Sequence, residues 1–133
     1  MGRILAIDVG TKKIGLALSD PLRILASPWG SLQRDSFLWA KIVTLCKNEG
    51  VDLIVVGYVA SDYYGTATRM VNEFVLELKK HISLPVEFQD ESFSSQKAES
   101  YLRVKGKKKR CPREDRDSLA ATQILWEYLD SRR

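Results

Sequence analysis

Four carboxylates and one run of cations are the residues in this chain whose types and spacing could do chemistry. Asp8 stands in ILAIDVGTKKIGLALSD, residues 4 to 20, where two apolar runs are hinged on a Gly-Thr-Lys turn. An anion held at the end of a buried strand loses hydration worth several kcal/mol unless a cation or strong donors replace it. Asp8 therefore calls for a metal ion, a basic side chain or a phosphate-bound ion, or else it caps its own turn through the backbone. Asp90 and Glu91 form a second acidic station where a short apolar run, Pro85 to Gln89, ends. Asp117 is a third, one helical turn ahead of the apolar face Ala121, Ile124, Leu125 and Tyr128. Taken singly, the second station is also explained by strand-end solvation and the third by helix capping.

These acids need elements to bring them together. Ile4 to Ile7 is an unbroken apolar run, the mark of a central strand buried on both faces, and Ile14 to Leu18 resumes a β pattern after the turn, which predicts a hairpin. Ile24 to Leu32, interrupted by Pro28 and Gly30, reads as a third, irregular strand. From Asp35 the period becomes helical, with Leu38, Ile42, Leu45 and Cys46 on one face, Asp35 or Ser36 as cap and Gly50 as stop. Asp52 to Gly57 is a strand expected to run parallel to the first, because a helix connects into it. Met70, Val71, Phe74, Val75, Leu78 and Ile82 mark a second helix with Glu73, Glu77, Lys79 and Lys80 outside. A third helix from Ser94 or Ser95 through Ala98, Tyr101 and Leu102, and a last one from near Glu114 or Asp117, complete an order β-β-β-α-β-α-β-α-α. Parallel strands place their carboxyl ends along one edge, where open α/β sheets carry their sites. Three carboxylates converging there would repel one another by a few kcal/mol per pair, at about 4 Å and an effective dielectric of about 20. Mg²⁺ or Mn²⁺ resolves that conflict, and two such ions about 4 Å apart suit phosphodiester cleavage.

The 133 residues fit one domain, 1–133, with one sizeable core. No apolar run approaches membrane-spanning length, and Met1-Gly2-Arg3 leads into a strand without a signal region, so a cytoplasmic protein is expected. Cys46 and Cys111 have no histidine at metal-ligand spacing and read as reduced thiols. Of 21 Lys and Arg, the seven at Arg103, Lys105, Lys107, Lys108, Lys109, Arg110 and Arg113 stand with no acid among them, leaving 14 cations against 17 acids elsewhere. A basic patch on an otherwise acidic domain is a polyanion footprint, with nucleic acid the natural partner, although a solvated connector has the same composition.

These residues carry a resemblance. LAIDVGTKKIGLALSDP resembles the first motif of the YqgF or RuvX family of pre-16S ribosomal RNA nucleases, relatives of the Holliday junction resolvase RuvC. IVVGYV stands where a VGLP-like segment is usual, DESFSS resembles the DERxT/S segment, and DSLAATQILWEYL is similar to the terminal helix. The resemblance spans nearly the whole chain. It implies an α/β ribonuclease H-like fold, a mixed five-stranded sheet with helices on both faces, and Asp8, Glu91 and Asp117 as metal-binding catalytic acids with Asp90 as a secondary acid. It implies trimming of a ribosomal RNA precursor at its 5′ end. With Mg²⁺ or Mn²⁺ as the expected metal, Lys12, Lys13 and the basic run are the candidate nucleic-acid contacts, and a monomer or weak homodimer is expected. Two departures stand out: Tyr58-Val59 replaces Leu-Pro, and Ser92 replaces an arginine that would clamp a phosphate with two donors. Three other readings compete: a resolvase-like DNase, a non-catalytic RNA-binding module, and a nucleotide-binding domain like those of actin-like ATPases, whose phosphate loop the Asp-Val-Gly-Thr turn also resembles. The last requires two such domains, for which this chain is too short.

Overall fold

The computed structural model describes residues 2–58, 65–90 and 118–132, apart from the side chains at 66 and 67. Strands β1 (Arg3–Val9) and β2 (Lys13–Ser19) form the expected hairpin, paired antiparallel from Leu5 opposite Leu18 to Val9 opposite Ile14. β3 (Ala26–Gln33) pairs antiparallel with β2 as an edge strand, the position where Pro28 can lack an N–H at little cost. The register slips between Leu16 and Ala17, opposite the Pro28 to Gly30 segment, so the predicted irregularity is a β-bulge. β3 starts two residues later than the apolar pattern implied. The Asp20 carboxylate accepts the N–H groups of Ile24 and Leu25 at 2.7 and 2.8 Å, which commits both residues to a turn and leaves their side chains exposed. Those bonds, the Leu25 one foremost, hold the Asp20 carboxyl below its ordinary pKa.

Helix α1 (Leu38–Glu49) crosses from β3 to β4 (Val51–Tyr58), which lies parallel to β1. Its buried face is Leu38, Ile42, Leu45 and Cys46, as the periodicity required. No side chain caps its first turn directly; Asp35 instead accepts the Phe37 N–H at 2.9 Å just ahead of it. At the other end Gly50 adopts φ 65°, a left-handed conformation open to glycine, and returns its N–H to the Cys46 carbonyl. α2 (Thr66–His81) then leads to β5 (Val86–Asp90), parallel to β4, and α3 (Leu119–Ser131) ends the described chain. The sheet order is β3-β2-β1-β4-β5, so β1 is central.

Alternation along the strands separates two cores. Leu5, Ile7, Val9, Ile14, Leu16, Ile54 and Val56 pack against α1 and α2, through Ile42, Leu45, Phe74 and Leu78. Ile4, Ala6, Ala17, Leu53 and Val55 pack against α3, through Ala121, Ile124, Leu125 and Tyr128. Helices thus cover both faces. Cys46 is a free, buried thiol whose pKa desolvation pushes up to about 11. The predicted helix at 94–102, the basic run, Cys111 and the start of the last helix at Glu114 to Asp117 lie outside the described residues; the described part of that helix begins at Leu119. Among the described residues, no helix is long and apolar enough to cross a membrane.

Candidate active site at the carboxyl edge of the sheet

β1, β4 and β5 run parallel, so their carboxyl ends share one edge, and Asp8 stands there on the middle strand. It lies between Ile7 and Val9, which face α1 and α2, so alternation turns its side chain to the α3 face with Ile4 and Ala6. Asp8 is half-buried, a setting in which its carboxylate is partly desolvated yet reachable.

Both flanks of Asp8 on that face lack a side chain. Gly15 is its antiparallel partner on β2, and Gly57 follows Val56, the parallel partner of Ile7, on β4. Because Ala17 and Val55 face α3, alternation puts Gly15 and Gly57 on Asp8's side of the sheet. In the sequence Gly57 marks only the end of the strand that begins at Asp52, and Gly15 by itself carries no signal of a site. The local signal is the pair, a glycine inside each apolar run, which marks close approach of another group to the backbone. A hard oxygen donor flanked by two bare backbone positions fits a hydrated divalent cation and a phosphate beside it.

Asp90 is also half-buried at this edge, paired with Tyr58 at the end of β5, but on the other face. Val86 packs toward α1 and α2, and Phe88 meets the Tyr58 ring edge-on at 6.3 Å. Between them Glu87 faces α3, where Tyr128 Oη donates to it at 2.9 Å and Arg132 Nη2 donates at 3.1 Å. Alternation therefore places Asp90 on the face opposite Asp8, while Gln89, level with Gly57, shares Asp8's face. Glu91 and Asp117 lie outside the described residues, as do Ser92, Arg103, Lys105, Lys107, Lys108, Lys109, Arg110 and Arg113. Accordingly, no three His, Cys, Asp or Glu side chains gather at one point among the described residues.

The turn that follows Asp8 is tightly held. Arg34 Nη1 donates to the Gly10 carbonyl at 2.8 Å and the Arg34 N–H to the Lys12 carbonyl at 2.9 Å. Lys12 is exposed and Lys13 half-buried at the start of β2. At Gly10 a Cβ would clash with the Lys13 carbonyl oxygen, a backbone atom that cannot swing away. Gly10→Ala is therefore expected to cost about 1–3 kcal/mol, as overpacking does, and to shift the turn two residues from Asp8. Urea unfolding would show the lower midpoint, and any cleavage activity should fall with it.

Comparison with known proteins bears on the family and the fold. A protein of Sulfurihydrogenibium sp. (strain YO3AOP1) named "Putative pre-16S rRNA nuclease" is 40% identical over 134 residues, covering 98% of this chain and 91% of its own. A protein of the same name from Chlorobium luteolum (strain DSM 273 / BCRC 81028 / 2530) is 42% identical over 137 residues, covering 99% and 96%. Among solved structures, T. thermophilus RuvC in complex with Holliday junction substrate superimposes with a TM-score of 0.62 at 16% identity, covering 99% of this chain and 96% of that one. The Fowlpox virus resolvase does so with a TM-score of 0.60 at 10% identity, covering 97% of each. The fold is thus ribonuclease H-like, as the sequence resemblance implied. A family model described as RuvX, Holliday junction resolvase, matches residues 2–131, and with the relatives above it shows that this chain belongs to the RuvX family.

Proposed function

We propose that this chain is a divalent-metal-dependent nuclease that processes the 5′ end of pre-16S ribosomal RNA in the cytoplasm, as a monomer or weak homodimer. The observation that carries the reading is Asp8, a partly desolvated carboxylate at the carboxyl end of the central strand with glycine on both sides, in a chain of the RuvX family. The names of its relatives supply the substrate class.

Asp8, Glu91 and Asp117 hold the metal in this reading, and Mg²⁺ or Mn²⁺ suits three hard oxygen donors. Asp90 turns away from Asp8, which leaves it the secondary acid in this reading. Asp117 is one residue ahead of Ser118 in the sequence, and α3 is anchored on Glu87 of β5 through Tyr128. When bound, such an ion supplies an activated water and neutralises charge on the phosphodiester. The chain's own contribution is positional. Gly15 and Gly57 leave a phosphate room beside Asp8, Lys12 and Lys13 bring positive charge to the adjoining turn, and the basic run 103–113 adds sequence-independent attraction.

The test is incubation of the purified protein with a 5′-extended 16S precursor RNA and with a four-way DNA junction, each with Mg²⁺, Mn²⁺ or chelator. Metal-dependent cleavage of the RNA is expected. Cleavage of the junction alone would overturn the substrate, and cleavage of neither would overturn the nuclease reading. Millimolar Mg²⁺ or Mn²⁺ should also raise the melting temperature, since an ion that binds only the folded state stabilises it by mass action. Coincident melting curves with metal and with chelator would remove the carboxylate site.

A further inference from the structure

Arg34 is a cation whose placement in the structure exceeds anything its sequence context announces. It follows the edge strand β3, 26 residues after Asp8 in the chain, yet its guanidinium reaches the Gly10 carbonyl at 2.8 Å, two residues from Asp8. Its backbone N–H closes on the Lys12 carbonyl at 2.9 Å, and Gln33 beside it pairs with Lys13 across the β2–β3 ladder. Lys12, Lys13 and Arg34 are thereby drawn into one cationic edge at the carboxyl end of β1.

Two contacts fix the guanidinium. One N–H is committed to Gly10, and the guanidinium carbon lies 5.5 Å from the centroid of the Phe74 ring, which is 1% exposed and so a rigid platform. Arg34 as a whole is exposed. A fork held at one corner and against a ring has lost most of its side-chain freedom before any ligand arrives, which lowers the entropy lost on binding an anion. Phe74 belongs to the α1 and α2 side, whereas Asp8 faces α3. Arg34 and the acid therefore stand on opposite sides of the same sheet edge.

We propose that Arg34 is a substrate-binding residue, gripping a backbone phosphate of the nucleic-acid strand at a position removed from the phosphate that reacts beside Asp8. A strand crossing the edge would meet the carboxylate on one side and this preset fork on the other. Arg34 supplies a two-donor phosphate contact from the end of β3. The inference rests on the nuclease reading above, and its test is separable from it.

The experiment is filter binding of a labelled single-stranded RNA spanning the 5′ precursor junction, in chelator and across a salt series, for the parent protein, Arg34→Gln and Arg34→Lys. Glutamine keeps an amide donor for the Gly10 carbonyl and removes the charge. Arg34→Gln should weaken binding about tenfold and flatten the slope of log affinity against log salt by about 0.7, the value for one phosphate contact on a single strand. Arg34→Lys keeps a charge but no fork, so it should keep the slope and weaken binding about threefold. Parent-like slope and affinity in folded Arg34→Gln would overturn the proposal and leave only a turn-bracing role, which lowers the melting temperature without touching the slope. If Arg34→Gln fails to fold, Arg34→Lys decides, and parent-like affinity there overturns the fork. A parent protein that binds no RNA would overturn this inference together with the RNA-processing reading, whereas a binding parent with an indifferent Arg34→Gln sinks this inference alone.

Discussion

Asp8→Asn should abolish cleavage, by on the order of 1,000-fold or more, while leaving the protein folded and still able to bind RNA. Asparagine is nearly isosteric, and β1 owes its place to Ile4, Leu5, Ala6, Ile7 and Val9, all buried, so the hairpin should persist. What disappears is one negative charge at the point where the edge of the sheet needs a cation. Removal of that anion should leave affinity for RNA unchanged or slightly higher, since it stood beside a phosphate. It should also reduce the metal-induced rise in melting temperature. Single-turnover cleavage with saturating protein separates this loss of chemistry from any loss of binding. A folded Asp8→Asn protein that cleaves at the parent rate would sink the assignment of Asp8 as a catalytic acid.

Phe74→Ala should produce the largest loss of stability among these variants, about 3–5 kcal/mol, the range for removing a fully buried phenylalanine. Phe74 is 1% exposed in the core between the sheet and helices α1 and α2. Its ring meets Trp39 of α1 at 5.1 Å, and Trp39 in turn stacks on His81 at 5.2 Å, so one side chain ties the two helices together. The substitution removes one of the two ring contacts that Trp39 makes with α2, and with it the platform beneath Arg34. Urea unfolding should show a lower midpoint at little changed slope, because the surface exposed on unfolding is nearly the same. A loss under 1 kcal/mol would mean that the helices close over the gap and that this contact matters less than its burial implies.

The elements were legible because their signals are local. Leu38, Ile42, Leu45 and Cys46 recur at helical spacing, and that stripe is the buried face of α1. The apolar runs at Ile4 and Ile14 with a turn between them allow little besides a hairpin. The start of β3 was misplaced for an equally local reason: Ile24 and Leu25 are apolar, but their N–H groups belong to the Asp20 carboxylate, and a hydropathy pattern does not register a side chain that competes for backbone donors. The capping of α1 differed too, since Asp35 binds one residue ahead of the helix.

By itself the sequence determined the kind and order of the described elements, the parallel course of β1 and β4, and the place of Asp8 at the sheet edge, because each follows from spacing within a short window or from the handedness of one crossover. The tertiary structure alone decided which groups meet. That Asp8 and Asp90 turn to opposite faces, that Gly15 and Gly57 flank Asp8, and that Arg34 closes on Gly10 all depend on register between segments distant in the chain. A slip of one residue in any of those ladders would carry every side chain of a strand to the other face. Packing sets that register: Leu5, Ile7 and Val56 can be buried under α1 and α2 while Ile4, Ala6 and Val55 are buried under α3 only in the observed alignment, and the position of the carboxylate follows from theirs.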